Sequence, residues 1–153
     1  MNTLKAGDKA PLSTLPDQQG EPVALADLLQ KHRVLVYFYP KAMTPGCTVQ
    51  AQNLRDHKDD LAANNTIAVG ISPDAPKRLA KFTERDDLNF VLLGDEDHQV
   101  AEAFGVWGLK KFMGREYDGI HRISFLIEQD GTIGKVFDKF KTKDHHQVVL
   151  DAL

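Results

Sequence analysis

The sequence predicts an α/β architecture: a mixed central sheet with helices on both faces. Three observations carry this. Val34-Leu35-Val36-Tyr37-Phe38-Tyr39 is β-branched and aromatic without polar alternation, as in a central strand buried on both faces. Strand-like and helix-like segments alternate along the first two thirds of the chain, the pattern of βαβ units. Near the end, two strand-like runs flank Gln129-Asp130-Gly131, a hairpin signal that adds antiparallel strands.

The elements follow in order. Leu12–Leu15 and Pro22–Ala24 flank the turn-rich Asp17-Gln18-Gln19-Gly20 and predict a small N-terminal hairpin. The central strand over 34–39 ends at Pro40. A helix is expected from about Pro45 to Ala63, because Cys47, Ala51, Leu54, Lys58 and Leu61 follow a helical spacing with one charged break. A strand over Thr66–Ile71, a helix over Pro76–Glu84, a strand over Phe90–Leu93 and a helix over Asp97–Phe104 come next. Gly105 to Gly119 reads as a long loop. Arg122–Ile127 and Ile133–Phe137 are the strands of the later hairpin, and a helix over Lys143–Leu153 closes the chain.

Composition narrows the function. The chain has 153 residues, 42% of them hydrophobic and 27% charged, enough to bury a core; one domain over 1–153 is the expectation. A net charge of −3 gives no basic field for nucleic acid or anionic membrane. No apolar run approaches the roughly 20 residues of a membrane span, and the N-terminus lacks the apolar stretch of a signal peptide. Cys47 is the single cysteine, so neither an internal disulfide nor a thiolate-based structural zinc site can form. A reducing, cytoplasmic compartment is expected.

The chemistry concentrates in Pro40-Lys41-Ala42-Met43-Thr44-Pro45-Gly46-Cys47. Thr44 suits the N-cap and Pro45 the first helical position, which puts Cys47 in the first turn, where backbone N–H groups lack intrahelical partners. The positive end of the helix favours a thiolate there. The same residue also shares a stripe with Ala51, Leu54 and Leu61 and could be a small buried hydrophobe. The residue pattern leaves both readings open. Arg122, taken by the residue pattern alone, reads as an exposed residue at a strand's end.

Other constellations carry less. The six histidines include no pair at metal-ligand helical spacing, and His145 and His146 read as solvated surface groups. Asp95-Glu96-Asp97 is acidic enough for a metal but lacks the calcium-loop spacing, and caps the next helix just as well. Lys139–Lys143 with Phe140 reads as a solvated basic face. Phe112, Met113 and Tyr117 read as lining a pocket, a contact surface or a satellite packing cluster.

Pro40-x3-Thr44-x2-Cys47, the strand before it and Arg122 in Gly119-Ile120-His121-Arg122-Ile123-Ser124-Phe125-Leu126-Ile127 resemble the active-site pattern of peroxiredoxins, thiol peroxidases on a thioredoxin-like fold. Lys111-Phe112-Met113-Gly114 with Tyr117-x-Gly119-Ile120 resembles the bacterioferritin comigratory protein, or PrxQ, branch. The resemblance implies that Cys47 is the peroxidatic cysteine, attacking hydrogen peroxide or an organic hydroperoxide and becoming a sulfenic acid. It implies that Thr44 orients the peroxide, that Pro40 shields the sulfur from water, and that Arg122 stabilises the thiolate and positions both reactants. It implies no cofactor and no metal. Many members of the branch carry a second, resolving cysteine five positions on, where this chain has Gln52, so the sulfenate requires an external thiol: thioredoxin, glutaredoxin with glutathione, or a small thiol. A monomer or weak homodimer is expected. Two competing functions are a cysteine hydrolase with His121 or His98 as base and a non-catalytic thioredoxin-like binding module with a structural cysteine.

Overall fold

The computed structural model describes residues 1–153. Its centre is a five-stranded sheet built from β3 (Arg33–Phe38), β4 (Thr66–Ser72), β5 (Val91–Gly94), β8 (Ser124–Ile127) and β9 (Ile133–Phe137), in the order β5-β4-β3-β8-β9. The first three pair in parallel, and β8 and β9 add antiparallel. The sheet is therefore mixed, with β3 in its middle.

Period-two alternation along β3 divides the core. Val34, Val36 and Phe38 face one way, onto α1 (Leu25–Leu29) and α5 (Gln99–Phe104) through Leu25, Leu29, Val100, Ala101 and Phe104. Leu35, Tyr37 and the following Tyr39 face the other way. There they meet α2 (Pro45–Asp56), α3 (Lys58–Ala62), α4 (Pro76–Asp86) and α6 (His145–Asp151) through Ala51, Leu54, Leu61, Leu79, Phe82 and Val149. With both faces covered, a charged side chain within 34–38 would be desolvated without a partner, which is why Val34 to Phe38 are aliphatic or aromatic.

Tyr37 fits only because its Cα partner on β4 is Gly70. A Cβ there would stand 2.9 Å from the Tyr37 ring and hydroxyl and 2.9 Å from Leu92. The ring thus occupies space that any side chain at 70 would claim.

The N-terminal hairpin pairs β1 (Thr14–Pro16) with β2 (Pro22–Ala24); β2 falls where the sequence predicts it, and β1 is slightly shorter and later than the predicted Leu12–Leu15. Asp17 Oδ1 closes the turn by accepting from Gln19 N (2.9 Å) and Glu21 N (3.0 Å). An Asp17–Leu93 bridge lays this turn along β5 and covers part of that edge strand. The Gln129-Asp130-Gly131 turn between β8 and β9 is present, with Gly131 at φ +89°.

Several expectations need correction. The stretch from Gly105 to Gly119 is not a loop. It is a β-hairpin, β6 (Trp107–Phe112) against β7 (Arg115–Ile120), closed by Met113-Gly114 with φ of +51° and +79°. Its outer half, Lys111 to Asp118, is solvent-exposed, so no buried face imposes a legible alternation on the sequence. The long helix from Pro45 breaks at His57 (φ −111°, ψ 20°), where the His57 ring packs at 4.4 Å and a 34° tilt against His146 of α6. The short α1 was not expected at all. Arg122 lies two residues before β8 rather than within it.

His145 overturns the surface reading most clearly. It is fully buried, and its Nε2 lies 2.8 Å from Ser124 Oγ. Being first in α6, it faces the sheet, while its neighbour His146 points toward α2. No helix is long and apolar enough to cross a membrane.

Candidate active site

The C-terminal end of β3 delivers the chain to a short loop, residues 40–44, and then to α2. Buried polar groups fix this loop from below. Asp74 accepts from Ala42 N at 2.8 Å and from Ser72 Oγ at 2.7 Å, and pairs with Arg78 at 3.1 Å. Arg78 Nη2 in turn donates to the Ala42 carbonyl at 2.9 Å. The loop's backbone is held on both its N–H and C=O sides, and Met43 takes φ +66° within it.

Thr44 occupies the N-cap with extended backbone (φ −80°, ψ 157°) and Pro45 is the first helical residue, as predicted. The capping chemistry differs. The Thr44 hydroxyl does not cap the helix; it donates to the Lys41 carbonyl at 2.9 Å. Its lone pairs therefore remain as acceptors. The first intrahelical bond runs from Thr48 N to Thr44 O at 2.9 Å, so the amides of Gly46 and Cys47 have no carbonyl within the helix to reach.

Cys47 is 1% exposed and packs with Ala51, Leu54 and Leu61, so it does lie on the apolar stripe. Its sulfur nevertheless has a charged partner. Arg122 Nη2 donates to Cys47 Sγ at 3.2 Å, across 75 positions of sequence. The other arm of the guanidinium, Nη1, donates to Gln50 Oε1 at 3.0 Å. Gln50 is one turn beyond Cys47 on α2, so the same helix presents sulfur and amide oxygen to the two ends of one planar fork. Gly46 makes room for it: a Cβ there would stand 3.2 Å from Arg122 Nη2. Pro40 is half-buried at the head of the loop.

The structure thus joins Cys47 and Arg122 directly and places Thr44 three residues from the sulfur. Gln50, Gly46 and the Asp74–Arg78 pair were missed. A glutamine one turn from a helix-start cysteine is a signal that spacing could have offered. The loop-anchoring pair could be found only once β4 and α4 were placed beside the loop. The two histidines proposed as a hydrolase base lie elsewhere. His121 Nε2 contacts the Leu109 carbonyl at 3.1 Å, and His98 stacks on Trp107 at 3.8 Å while reaching Glu102.

Burial dominates the electrostatics behind the sulfur. It pushes the Tyr37 hydroxyl well above the usual tyrosine range, helped by Tyr39 and Cys47 and opposed by Arg122. It drives the His145 imidazole down to about 3, with His146 and Arg122 adding to the effect. Both stay neutral at physiological pH, leaving Arg122 as the charge in contact with the sulfur.

Residues 6–136 match the AhpC/TSA family. Peroxiredoxin Bcp of Escherichia coli is 64% identical over 153 residues, covering 100% of this chain and 97% of that protein. The crystal structure of peroxidoxin BcpB from Mycobacterium tuberculosis superposes with a TM-score of 0.86 at 36% identity, covering 97% of this chain and 95% of that one. A bacterioferritin comigratory protein of Xanthomonas campestris, studied for alkyl peroxide reduction, superposes with a TM-score of 0.85 at 27% identity, covering 95% and 96%.

Proposed function

Since this chain belongs to the AhpC/TSA family, and within it to the Bcp/PrxQ peroxiredoxins with their thioredoxin-like fold, it is a thiol-dependent peroxidase, and we propose that its reaction runs on Cys47 assisted by Thr44, Arg122 and Pro40. The observation that carries the assignment is the 3.2 Å contact between Arg122 Nη2 and Cys47 Sγ. A guanidinium stays charged at any working pH and favours the sulfur as thiolate.

The thiolate attacks the distal oxygen of the peroxide. The S–O bond forms as the O–O bond breaks, and the leaving oxygen departs as alkoxide or hydroxide and takes up a proton. Charge moves from sulfur toward that oxygen, so donors already aimed there lower the barrier. The Arg122 fork and the amides of Gly46 and Cys47 are such donors. Thr44, its proton committed to Lys41, accepts from the peroxide O–H and turns the O–O bond toward the sulfur. Pro40 shields the sulfur from bulk water.

The product is a sulfenic acid at Cys47. With no second cysteine in the chain, an external thiol condenses with it, releasing water and forming a mixed disulfide. A second thiol then frees Cys47 and leaves as the disulfide of the reductant. Thioredoxin, glutaredoxin with glutathione, or a small thiol can fill this role. Substrates are hydrogen peroxide and organic hydroperoxides, the latter supported by the alkyl peroxide activity of the Xanthomonas relative. The two core clusters on opposite faces of one sheet support reading 1–153 as one domain.

Cys47→Ser tests the assignment. Peroxide turnover with a thiol reductant should vanish while circular dichroism stays that of the parent. Turnover retained in a folded variant would refute it.

A further inference from the structure

Arg122 is not the only cation at the site without a carboxylate. Lys110, on β6, is half-buried and forms no salt bridge, although the chain forms six elsewhere. Its Nζ donates to the Ile120 carbonyl at 2.8 Å, two residues ahead of Arg122. Its stem lies over Gly119, where a Cβ would stand 3.2 Å from Lys110 Cδ and 3.3 Å from the Tyr117 ring. Between Ile120 and Arg122, His121 N donates to the Val106 carbonyl at 2.8 Å and the His121 ring meets Leu109 O at 3.1 Å. The β6–β7 hairpin therefore holds the segment that delivers Arg122.

Fixed on the Ile120 carbonyl, the Lys110 ammonium brings a positive charge to the segment that ends at Arg122. The charged and titratable groups around it are few. Tyr117 is its cross-strand partner on β7. Arg122 and His121 come from the β7–β8 connection, and Cys47 comes from α2. Glu116 is paired with Lys111. Burial and the Arg122 charge pull the Lys110 ammonium below the usual lysine range, and Cys47 works in the opposite direction. Arg122 in turn touches the Cys47 sulfur at 3.2 Å, so the segment that Lys110 anchors ends at that atom.

We propose that Lys110 is a positioning residue for the Cys47–Arg122 pair, anchoring the Arg122 segment through the Ile120 carbonyl and supplying a second positive charge that holds the Cys47 sulfur in its anionic form. The role rests on Cys47 being the reactive thiol. It explains why a lysine lies inside a hairpin whose outer half is in water, and why position 119 has no side chain.

Alkylation of Cys47 by iodoacetamide, followed by intact mass across pH, reads the thiolate without peroxide. The full chain is compared with Lys110→Gln, which keeps a donor for Ile120 O and loses the charge, and with Lys110→Arg, which keeps the charge. Lys110→Gln should raise the midpoint of the alkylation profile by about half a pH unit and slow alkylation below it about threefold, the scale of one partly screened charge. Lys110→Arg should return toward the parent. A folded Lys110→Gln with the parent's midpoint would overturn the proposal, as would Lys110→Arg matching Lys110→Gln. Lys110→Met gives the same charge comparison should the glutamine variant not fold. Peroxide oxidation of the unmodified chain is measured alongside. Its absence would count against the peroxidase assignment, while the alkylation profile still decides the role of Lys110.

Discussion

Arg122 Nη1 donates to Gln50 Oε1 at 3.0 Å, and Gln50 is 1% exposed. One turn of α2 therefore sets both the nucleophile and the acceptor that aims the guanidinium at it. A hydrogen bond to a charged group contributes about 1.5–3 kcal/mol when its partner cannot turn to water. Gln50→Leu should slow peroxide oxidation of Cys47 about tenfold by freeing the guanidinium to rotate. Gln50→Glu should slow it too, because a carboxylate would compete with the sulfur for Arg122. Stopped-flow oxidation rates check both; parent-like rates would mean that Arg122 is aimed by something else.

Gly46 provides a second check on the same geometry. Its missing Cβ leaves 3.2 Å to Arg122 Nη2, a contact tighter than side chains ordinarily tolerate. Gly46→Ala should displace the guanidinium and lower the oxidation rate about threefold to tenfold, with melting temperature little changed because alanine suits a helix. A rate loss matched by a large loss of stability would instead indicate a general packing fault.

Buried His145 makes stability depend on pH. The folded imidazole titrates near 3, while the unfolded one titrates near 6.5. Between these values the unfolded chain binds the extra proton, so this contribution is intact above about pH 6.5 and is lost as pH falls toward 3. Between pH 6.5 and 5 the loss is about 2 kcal/mol at most. Urea unfolding at pH 7 and pH 5 should show the parent losing more stability than His145→Gln, which can keep a bond to Ser124 without titrating. Equal losses would contradict the neutral, buried histidine.

Gln52 controls the fate of the sulfur after its first oxidation. It donates to Asp86 Oδ1 at 3.0 Å, and Asp86 also pairs with Arg85, whose Nη2 reaches Thr48 in the first turn of α2. The helix is thus tied to α4 at two levels. In dilute protein without a reductant, excess peroxide should carry Cys47 from sulfenic to sulfinic acid, or a small thiol should cap it. Intact mass would show gains of one and then two oxygens; quantitative conversion to a disulfide-linked dimer would contradict this. Gln52→Cys should allow an internal disulfide only as far as those ties release the first turns, and Arg85→Ala in that background should increase its yield.

The legible and illegible parts of the sequence divide on burial. The segment over 34–39 could be placed because both its faces are desolvated, and that placed the loop and helix carrying Thr44 and Cys47. The β6–β7 hairpin could not, because exposed strands such as Arg115–Asp118 need no apolar alternation. Lys110 was lost with it. His145 was misread because helical phase alone does not say which of two adjacent histidines faces the sheet; that depends on where α6 docks against Ser124. Arg122 was found by resemblance, since no local pattern reveals a contact spanning 75 positions.

The most direct measurement adds one equivalent of hydrogen peroxide to the reduced chain, without thiols, and follows intact mass beside the Arg122→Met and Cys47→Ser variants. The parent should gain a single oxygen, trappable as sulfenic acid at Cys47; Arg122→Met should react at least tenfold more slowly, and Cys47→Ser should gain nothing. A parent that stays unoxidised on the timescale of a free thiol, or that oxidises equally fast without Arg122, would contradict a peroxidase built on the Cys47–Arg122 contact.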